Sequence, residues 1–181
     1  RSSSVTVDLR GTFEVTEEER NAFWESLYAG QGFGIWQGNF RDMLVDREAN
    51  RLMSDFVADK IRERVKDPKT ADMLIPKDHG FGTRRVPQET KYYEVYNQDN
   101  VKLVSMLEEP VERITETGIR TSAQDYEFDV IIYATGFDAV TGAFDKIDIQ
   151  GKGGARLKEK WAGGPRTFVG VMVDDFPNMF M

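Results

Sequence analysis

The 181-residue sequence contains no cysteine and a single histidine, His79. Without cysteine the chain can have no disulfide framework, no thiolate nucleophile and no cysteine-bound iron–sulfur cluster. The absence of cysteine is also compatible with a reducing compartment. Any metal site or catalytic triad based on histidine would depend on one residue, so we predict neither a metal site nor a histidine catalyst.

Basic residues are also fewer than acidic ones: the sequence has 24 Lys and Arg and 31 Asp and Glu, which gives a net charge of -7. No field of the whole protein attracts a phosphate backbone or an anionic membrane, so we expect no nucleic-acid partner. No apolar run approaches the roughly 18 residues of a membrane span. The first residues, RSSSVTVDLRG, lack the apolar centre of a signal peptide. We therefore expect a soluble, cytoplasmic chain without membrane contact.

The first 75 residues carry helical patterns. Thr16 and Glu19 form the pattern of a capping box, and the helix that they begin is predicted to end at Gly30. The glycine-rich GQGFGIWQGNF that starts there is typical of a tight connection. Further helices are predicted over residues 40–45 and 46–67. The second of these has one apolar face, composed of Leu52, Met53, Phe56, Val57, Ile61 and Val65.

The pattern changes near residue 80 to loops and short strands. The segments VKLVSM, VERITET, GIRTS and FDVIIYAT are predicted strands, and Thr117 with Gly118 is typical of a hairpin tip. FDVIIYAT does not alternate, which favours a strand of a parallel or mixed sheet with both faces buried. At its end, Ala134 and Gly136 would allow a ligand close to the backbone, and Thr135 offers a hydroxyl. The alternative is an ordinary buried strand that ends in a glycine turn.

Two adjacent arginines, Arg84 and Arg85, stand in GFGTRRVP between a glycine turn and a proline. Fixed guanidinium groups suit a phosphate, a nicotinamide ribose or a developing oxyanion. The alternative is a pair of solvated surface arginines, each paired with one of the many carboxylates.

Taken in order, four segments resemble the type I Baeyer–Villiger monooxygenases, the flavoproteins that act on phenylacetone, cyclohexanone and steroids. The segments are IPKDHGFGTRR, KYYEVYNQDNVKLV, GIRTSAQDYEFDVIIYATGFDAVTGAFDKIDIQGKGG and LKEKWAGGPRTFVGVMVDDFPNMFM. The resemblance extends back through WESLYAGQGFGIWQGNFRDMLVD and NRLMSDFVADKIRERVKDP, and so covers nearly the whole chain.

The resemblance implies an α/β flavoprotein with two Rossmann-like dinucleotide-binding domains and a helical subdomain, which holds FAD and binds NADPH. In the family NADPH reduces the flavin, dioxygen adds to it, and the peroxyflavin converts a ketone to an ester or lactone. Arg85 matches the arginine that holds the negative peroxide. Arg84 stands where the family usually has a lysine near the NADP phosphate. Ala134, Thr135 and Gly136 match the crossing between the two cofactor domains, with Asp138 following close to the cofactors.

The resemblance also implies domain boundaries: an irregular lead-in over 1–12, a helical subdomain over 13–80, a returning part of the NADP-binding domain over 81–140, and part of the FAD-binding domain over 141–181. The family's two G-x-G-x-x-G loops do not occur in the sequence. We therefore expect an internal fragment, inactive alone, that pairs with missing parts of a parent chain or with itself. Two alternatives remain: a flavin monooxygenase that hydroxylates nitrogen or sulfur, and a non-catalytic interaction domain.

Overall fold

The computed structural model describes residues 8–138 and 141–181 as a mixture of helix and sheet. The helices are α1 (Glu17–Ala29), α2 (Gly34–Gln37), α3 (Arg47–Arg64), α4 (Pro68–Leu74), α5 (Gly142–Asp145) and α6 (Leu157–Lys160), with 3-10 turns at Glu94–Asn97 and Lys152–Gly154. The strands are β1 (Val111–Ile114), β2 (Gly118–Thr121), β3 (Asp125–Glu127), β4 (Met172–Val173) and β5 (Phe176–Phe180). Among the described residues, no helix is long and apolar enough to cross a membrane.

The chain divides into two compact units. One contains the described residues up to Thr115 together with Ile119–Tyr126, and the other contains Glu116–Gly118 and the described residues from 127 onward. The strand order of the first sheet is β1-β2-β3, and β1 pairs antiparallel with β2. In the second sheet β4 pairs antiparallel with β5. The predicted strands VERITET and GIRTS are thus confirmed as β1 and β2.

The predicted start and end of α1 are confirmed. The Thr16 hydroxyl accepts the backbone N–H of Glu19 at 3.2 Å, and the Glu19 carboxylate accepts that of Thr16 at 3.0 Å. This reciprocal pair satisfies two N–H groups that a helix start leaves without partners. The helix ends at Gly30, whose N–H is donated to the carbonyl of Leu27.

Helix α3 is confirmed within the predicted residues 46–67. The carboxylate of Asp46 accepts the N–H groups of Glu48 and Ala49, both at 2.9 Å. On its buried side, Met53 packs with Trp24, Phe40 and Met43, while Ile61 packs with Val65 and Ala71. One helix therefore contributes to both hydrophobic clusters of the first unit.

The predicted helix over residues 40–45 is wrong: this segment is a turn, and the short helix α2 lies in the predicted connection instead. Long-range side-chain bonds hold the turn. Asp42 accepts the N–H of Thr12 at 2.9 Å and its hydroxyl at 2.7 Å. Asn39 accepts the indole N–H of Trp24 at 3.0 Å. These contacts span 15 to 30 residues, so no local sequence pattern indicates them.

The predicted strands over residues 101–106 and 128–135 are also wrong. The structure has no strand in either segment, and Val130 and Ile132 are 74% and 85% exposed rather than buried. A strand exists only where its backbone bonds to a neighbour. The N–H of Phe128 donates to the carbonyl of Thr117 at 2.9 Å, but the described residues 129–135 belong to no sheet. Both defined strand pairings are antiparallel rather than parallel.

In the second unit, Leu157, Trp161, Val173 and Phe176 form a small buried cluster. The rings of Phe144 and Trp161 meet edge to face at 5.6 Å, a favourable geometry for aromatic pairs. This cluster joins α5 and α6 to the β4–β5 pair.

Replacing the cap of α3 tests its local stability. We expect Asp46→Ala to lower the free energy of local opening of α3 by about 1 kcal/mol, because two N–H groups lose their acceptor. Native-state hydrogen exchange of the α3 amides measures this. The control Asp55→Ala removes only an exposed ion pair with Arg51 in the same helix and should cost within about 0.5 kcal/mol. Equal losses in the two variants would contradict the cap.

Candidate functional site

The paired arginines lie in an irregular segment that follows α4, as the loop pattern predicts. We call residues 81–89 the strap. Its first residues are bound to neighbouring helices: the side-chain amide of Asn50 donates to the carbonyl of Phe81 at 2.8 Å, and the N–H of Phe81 donates to the hydroxyl of Ser54 at 2.9 Å. The indole N–H of Trp36 donates to the carbonyl of Gly82 at 3.2 Å.

Gly82 cannot be replaced without movement of this end of the strap. Its φ is +73°, and a Cβ there would lie 2.8 Å from a ring carbon of Trp36. Only glycine adopts this backbone beside the indole without strain. The strap can therefore lie this close to the Trp36 ring only because residue 82 has no side chain.

Arg84 is exposed and bound to an internal carboxylate. Its guanidinium donates to Asp78 Oδ2 at 2.8 Å, and the other oxygen of Asp78 lies 2.6 Å from His79 Nδ1. The bond with His79, followed by the charge of Arg84, holds the pKa of Asp78 below its ordinary value. Because both Arg84 and Asp78 are about two-thirds exposed, this pair adds little to stability and leaves Arg84 able to exchange partners.

Arg85 differs from its neighbour. Within residues 8–138 and 141–181, its side chain has neither a hydrogen bond nor an ion pair. Its guanidinium carbon lies 5.6 Å from the centre of the Phe33 ring, a distance at which a cation is attracted to the ring face. The ring orients the guanidinium without neutralising it. All of its N–H donors remain open to an anionic ligand.

Two clefts of about 450 and 600 Å³ adjoin the strap. These volumes lie in the range of small-molecule sites. Arg84, Arg85 and His79 line the first cleft, and Phe33 and Arg64 line the second. The residues common to both are Val57, Ile61, Phe81, Val86, Pro87, Gln88, Glu89 and Tyr93. The strap thus forms part of the lining of both clefts.

The last residue of the strap is held by an ion cluster centred on Arg64. Arg64 donates to Glu89 at 2.8 Å, to the hydroxyl of Tyr28 at 2.8 Å, and to both oxygens of Glu94 at 2.6 and 2.8 Å. The hydrogen bonds from Arg64 lower the pKa of both carboxylates, and its bonds within the cluster, first of all those to Glu94, raise the pKa of Arg64. Sequence reasoning missed this cluster, because partners 25 to 36 residues apart leave no motif.

A tyrosine cluster follows the strap. The ring of Tyr92 meets those of Tyr93 and Tyr96 edge to face, at 5.4 Å in each case. The hydroxyl of Tyr96 donates to that of Tyr92 at 2.9 Å. Burial, reinforced by this bond, raises the pKa of Tyr96 to about 12, and burial also raises the pKa of Tyr93.

The other predicted site residues lie in the second unit. Ala134 and Thr135 are exposed, and Gly136 has a φ of +83°. Asp138 lies 3.2 Å from the amine of Lys146. These residues and the paired arginines belong to different units. No cluster of three metal-binding side chains occurs in the described part of the chain.

Comparison with known proteins shows that the chain is similar to segments of several monooxygenases. No protein-family model matches it. It is 56% identical over 173 residues to 2-oxo-Δ3-4,5,5-trimethylcyclopentenylacetyl-CoA monooxygenase of Pseudomonas putida, covering 96% of this chain and 32% of that protein. It is 46% identical over 168 residues to cyclopentanone 1,2-monooxygenase of a Comamonas strain, covering 92% and 30%. The crystal structure of OTEMO in complex with FAD and NADP matches with a TM-score of 0.92 and 55% identity, over 97% of this chain and 32% of that one.

The relatives also include a Baeyer–Villiger monooxygenase of Pseudooceanicola batsensis and phenazine N-monooxygenase PhzNO1 of Lysobacter antibioticus, 42% and 41% identical. The chain is a homologue of a segment of the Baeyer–Villiger monooxygenases, which confirms the resemblance found in the sequence. It spans about a third of the length of the curated relatives it matches.

The tyrosine cluster can be tested by titration. An unfolded tyrosine ionises near pH 10, whereas Tyr96 keeps its proton to about pH 12. The stability that its protonated form contributes is therefore fully present below pH 10 and lost as the pH rises through about 12. We expect the absorbance of tyrosinate to show a phase near pH 12 that Tyr96→Phe removes. The control Tyr133→Phe, at an exposed tyrosine, should leave this phase in place; its loss there would contradict the assignment.

Proposed function

We propose that the chain is a segment of an FAD- and NADPH-dependent Baeyer–Villiger monooxygenase. The reaction consumes a ketone, dioxygen, NADPH and a proton, and yields an ester or lactone, NADP⁺ and water. The homology to monooxygenases over nearly the whole chain supports this class. The observation that carries the mechanism is the unpaired guanidinium of Arg85 beside a cleft.

Arg85 is proposed to stabilise negative charge on the reacting oxygen. When bound, FAD would accept the hydride of NADPH and supply the activated oxygen. A guanidinium stays charged throughout a catalytic cycle and presents donors in a fixed fork, so it stabilises an oxyanion without giving up a proton. Such stabilisation is strongest where the donors are already oriented before the charge develops. The contact with the Phe33 ring supplies that orientation.

The donor groups of the first cleft fit an anionic dinucleotide. Arg84 is proposed to bind the phosphate end of NADP, where its exposed bond to Asp78 can be exchanged for a phosphate oxygen. Arg85 has no carboxylate partner to give up in the part of the chain that the structure describes. The two neighbouring arginines are therefore suited to different tasks: one to an exchangeable cofactor phosphate, the other to charge that develops during the reaction.

We also propose the domain assignment that the resemblance implies. Residues 13–80 would form a helical subdomain, 81–140 the returning part of a Rossmann-like NADP-binding domain, and 141–181 part of the FAD-binding domain. Ala134, Thr135, Gly136 and Asp138 would lie close to the cofactors at the crossing. The positive φ of Gly136 supports this role, since it lets the backbone turn where no Cβ intrudes.

A second candidate is oxygenation of an aromatic nitrogen. The relative that favours it is phenazine N-monooxygenase, 41% identical over 169 residues. The cofactors would be the same, so the substrate distinguishes the two functions. Turnover of cyclic ketones without turnover of phenazines would select the ketone reaction, and the reverse would select nitrogen oxygenation.

Removing the guanidinium of Arg85 tests the main proposal. In the intact polypeptide, we expect Arg85→Ala to lower ester formation by on the order of 100-fold or more, because the developing charge loses its donors. Oxidation of NADPH should persist. Product analysis and NADPH absorbance measure the two rates. Arg47→Ala, at another exposed arginine without an ion pair among the described residues, should keep wild-type rates. Retained ester formation in Arg85→Ala would remove Arg85 from this role.

The role of Arg84 is tested by comparing two cofactors. We expect Arg84→Ala to raise KM for NADPH roughly tenfold, because a charge-assisted bond to the phosphate is lost, with kcat little changed. NADH lacks that phosphate, so its KM should stay the same. An equal increase for NADH and NADPH would show that Arg84 does not recognise the phosphate.

A further inference from the structure

We infer that Arg64 is a positioning residue for Arg85, acting through Glu89 by holding the strap extended along α3. The inference rests on the proposed function of Arg85, and it concerns side chains that touch neither substrate nor cofactor in that proposal. Its basis is the way in which the two ends of the strap are attached to the same helix.

Both ends of the strap are fixed on α3. At the upstream end, Asn50 and Ser54 bind the backbone of Phe81. At the downstream end, Arg64 binds the side chain of Glu89. Arg85 is the midpoint, four residues from each anchor.

The strap has little slack between these anchors. Along the axis of α3, Arg64 lies about 21 Å from Asn50 and about 15 Å from Ser54. The eight residue-to-residue steps from Phe81 to Glu89 reach at most about 28 Å when fully extended. The actual reach is shorter, because residues 81–84 form turns, and only residues 85–89 are free of turns and bends. When both ends are bound, the backbone of a strap of this length cannot move far from α3.

The residues that follow Arg85 add stiffness. Pro87 fixes its own φ, and the residue before a proline is confined to extended backbone, so Val86 is restricted as well. A displacement of Glu89 therefore also displaces the backbone of Arg85, because the torsion angles of Val86 and Pro87 between them are restricted. The position of the guanidinium over Phe33 then depends on where Glu89 is held.

The ion pair at Glu89 is suited to be the anchor. The side chains of Arg64 and Glu89 are only 22% and 26% exposed, so solvent screens this pair less than the other ion pairs of the strap region. The second oxygen of Glu89 accepts the N–H of Tyr92 at 2.8 Å. Glu89 is therefore held by two separate donors, and the anchored end cannot rotate freely.

The molecule offers a matched control. Arg64 makes two bonds to Glu94, compared with one to Glu89, but Glu94 lies beyond the strap. If Arg64 served only to stabilise the fold, losing Glu94 would be at least as harmful as losing Glu89. If it positions Arg85, losing Glu89 must be more harmful to oxygenation.

The test measures ester formed per NADPH oxidised in the intact, flavin-loaded polypeptide. Displacement of a catalytic group by about 1 Å costs on the order of 100-fold in rate. We expect Glu89→Ala to lower the ratio at least tenfold and Glu94→Ala to lower it less than threefold, with KM for the ketone little changed in both. Glu89→Gln keeps an acceptor for Arg64 and should recover most of the ratio. An effect of Glu94→Ala as large as that of Glu89→Ala would overturn the inference.

A second variant leaves the ion pair untouched. Two glycines inserted between Gln88 and Glu89 keep every partner of Arg64 but add about 7 Å of chain. We expect this insertion to uncouple NADPH oxidation from ester formation as Glu89→Ala does, with the excess reducing equivalents appearing as hydrogen peroxide. A wild-type ratio in the insertion variant would show that strap length does not matter and would also overturn the inference.

These outcomes are separable from failure of the proposed function. If the wild-type polypeptide forms no ester, the proposed function fails and the inference fails with it. If Arg85→Ala still forms ester, the proposed function stands, but Arg85 loses its proposed role and the inference fails. If Arg85→Ala abolishes ester formation while Glu89→Ala and the insertion do not affect it, the proposed function stands and only the positioning role of Arg64 is wrong.

Discussion

The attachment of residues 81–89 to helix α3 at both ends is the constraint on which the candidate site depends. The helix presents Met53 and Ile61 to two hydrophobic clusters and Asn50, Ser54 and Arg64 to the strap. Burial of its apolar face fixes the helix, since packed cores resist displacement. The polar side chains of the same helix bind the strap, and so they restrain a segment that has no regular structure of its own.

The charge balance makes the state of Arg85 informative. Acidic residues outnumber basic ones in this chain, and its other strap arginine has an internal carboxylate partner. Among the described residues Arg85 has no carboxylate partner, although carboxylates are in excess. The carboxylates next to it along the chain are bound to other residues, since Asp78 binds Arg84 and His79, and Glu89 binds Arg64. The pairing of those carboxylates keeps the guanidinium available.

Local signals allowed part of this structure to be predicted. The capping box of α1 and the apolar face of α3 depend on residues a few positions apart, so the sequence indicates them directly. The turn at residues 40–45 depends on Asp42 meeting Thr12, and the anchor depends on Arg64 meeting Glu89, contacts that only the folded chain creates. The run FDVIIYAT has the composition of a strand, but the structure forms no strand in these residues. The composition of a segment shows that it can form a strand. The strand forms only where a second strand is available for backbone hydrogen bonds.

In the role proposed for it, Arg85 would meet a transient negative charge, and this requirement poses a physical conflict. It has to be fixed, because a mobile cation stabilises a transition state poorly. Yet the usual way to fix a guanidinium, a bidentate carboxylate, would neutralise it and compete with the reaction. The strap resolves this conflict by fixing the backbone on either side of Arg85 and leaving its side chain to the face of Phe33, which attracts the cation without taking its hydrogen-bond donors. The ion pair of Arg64 with Glu89 lies four residues away from Arg85. There it restrains the backbone of the strap without neutralising the guanidinium of Arg85.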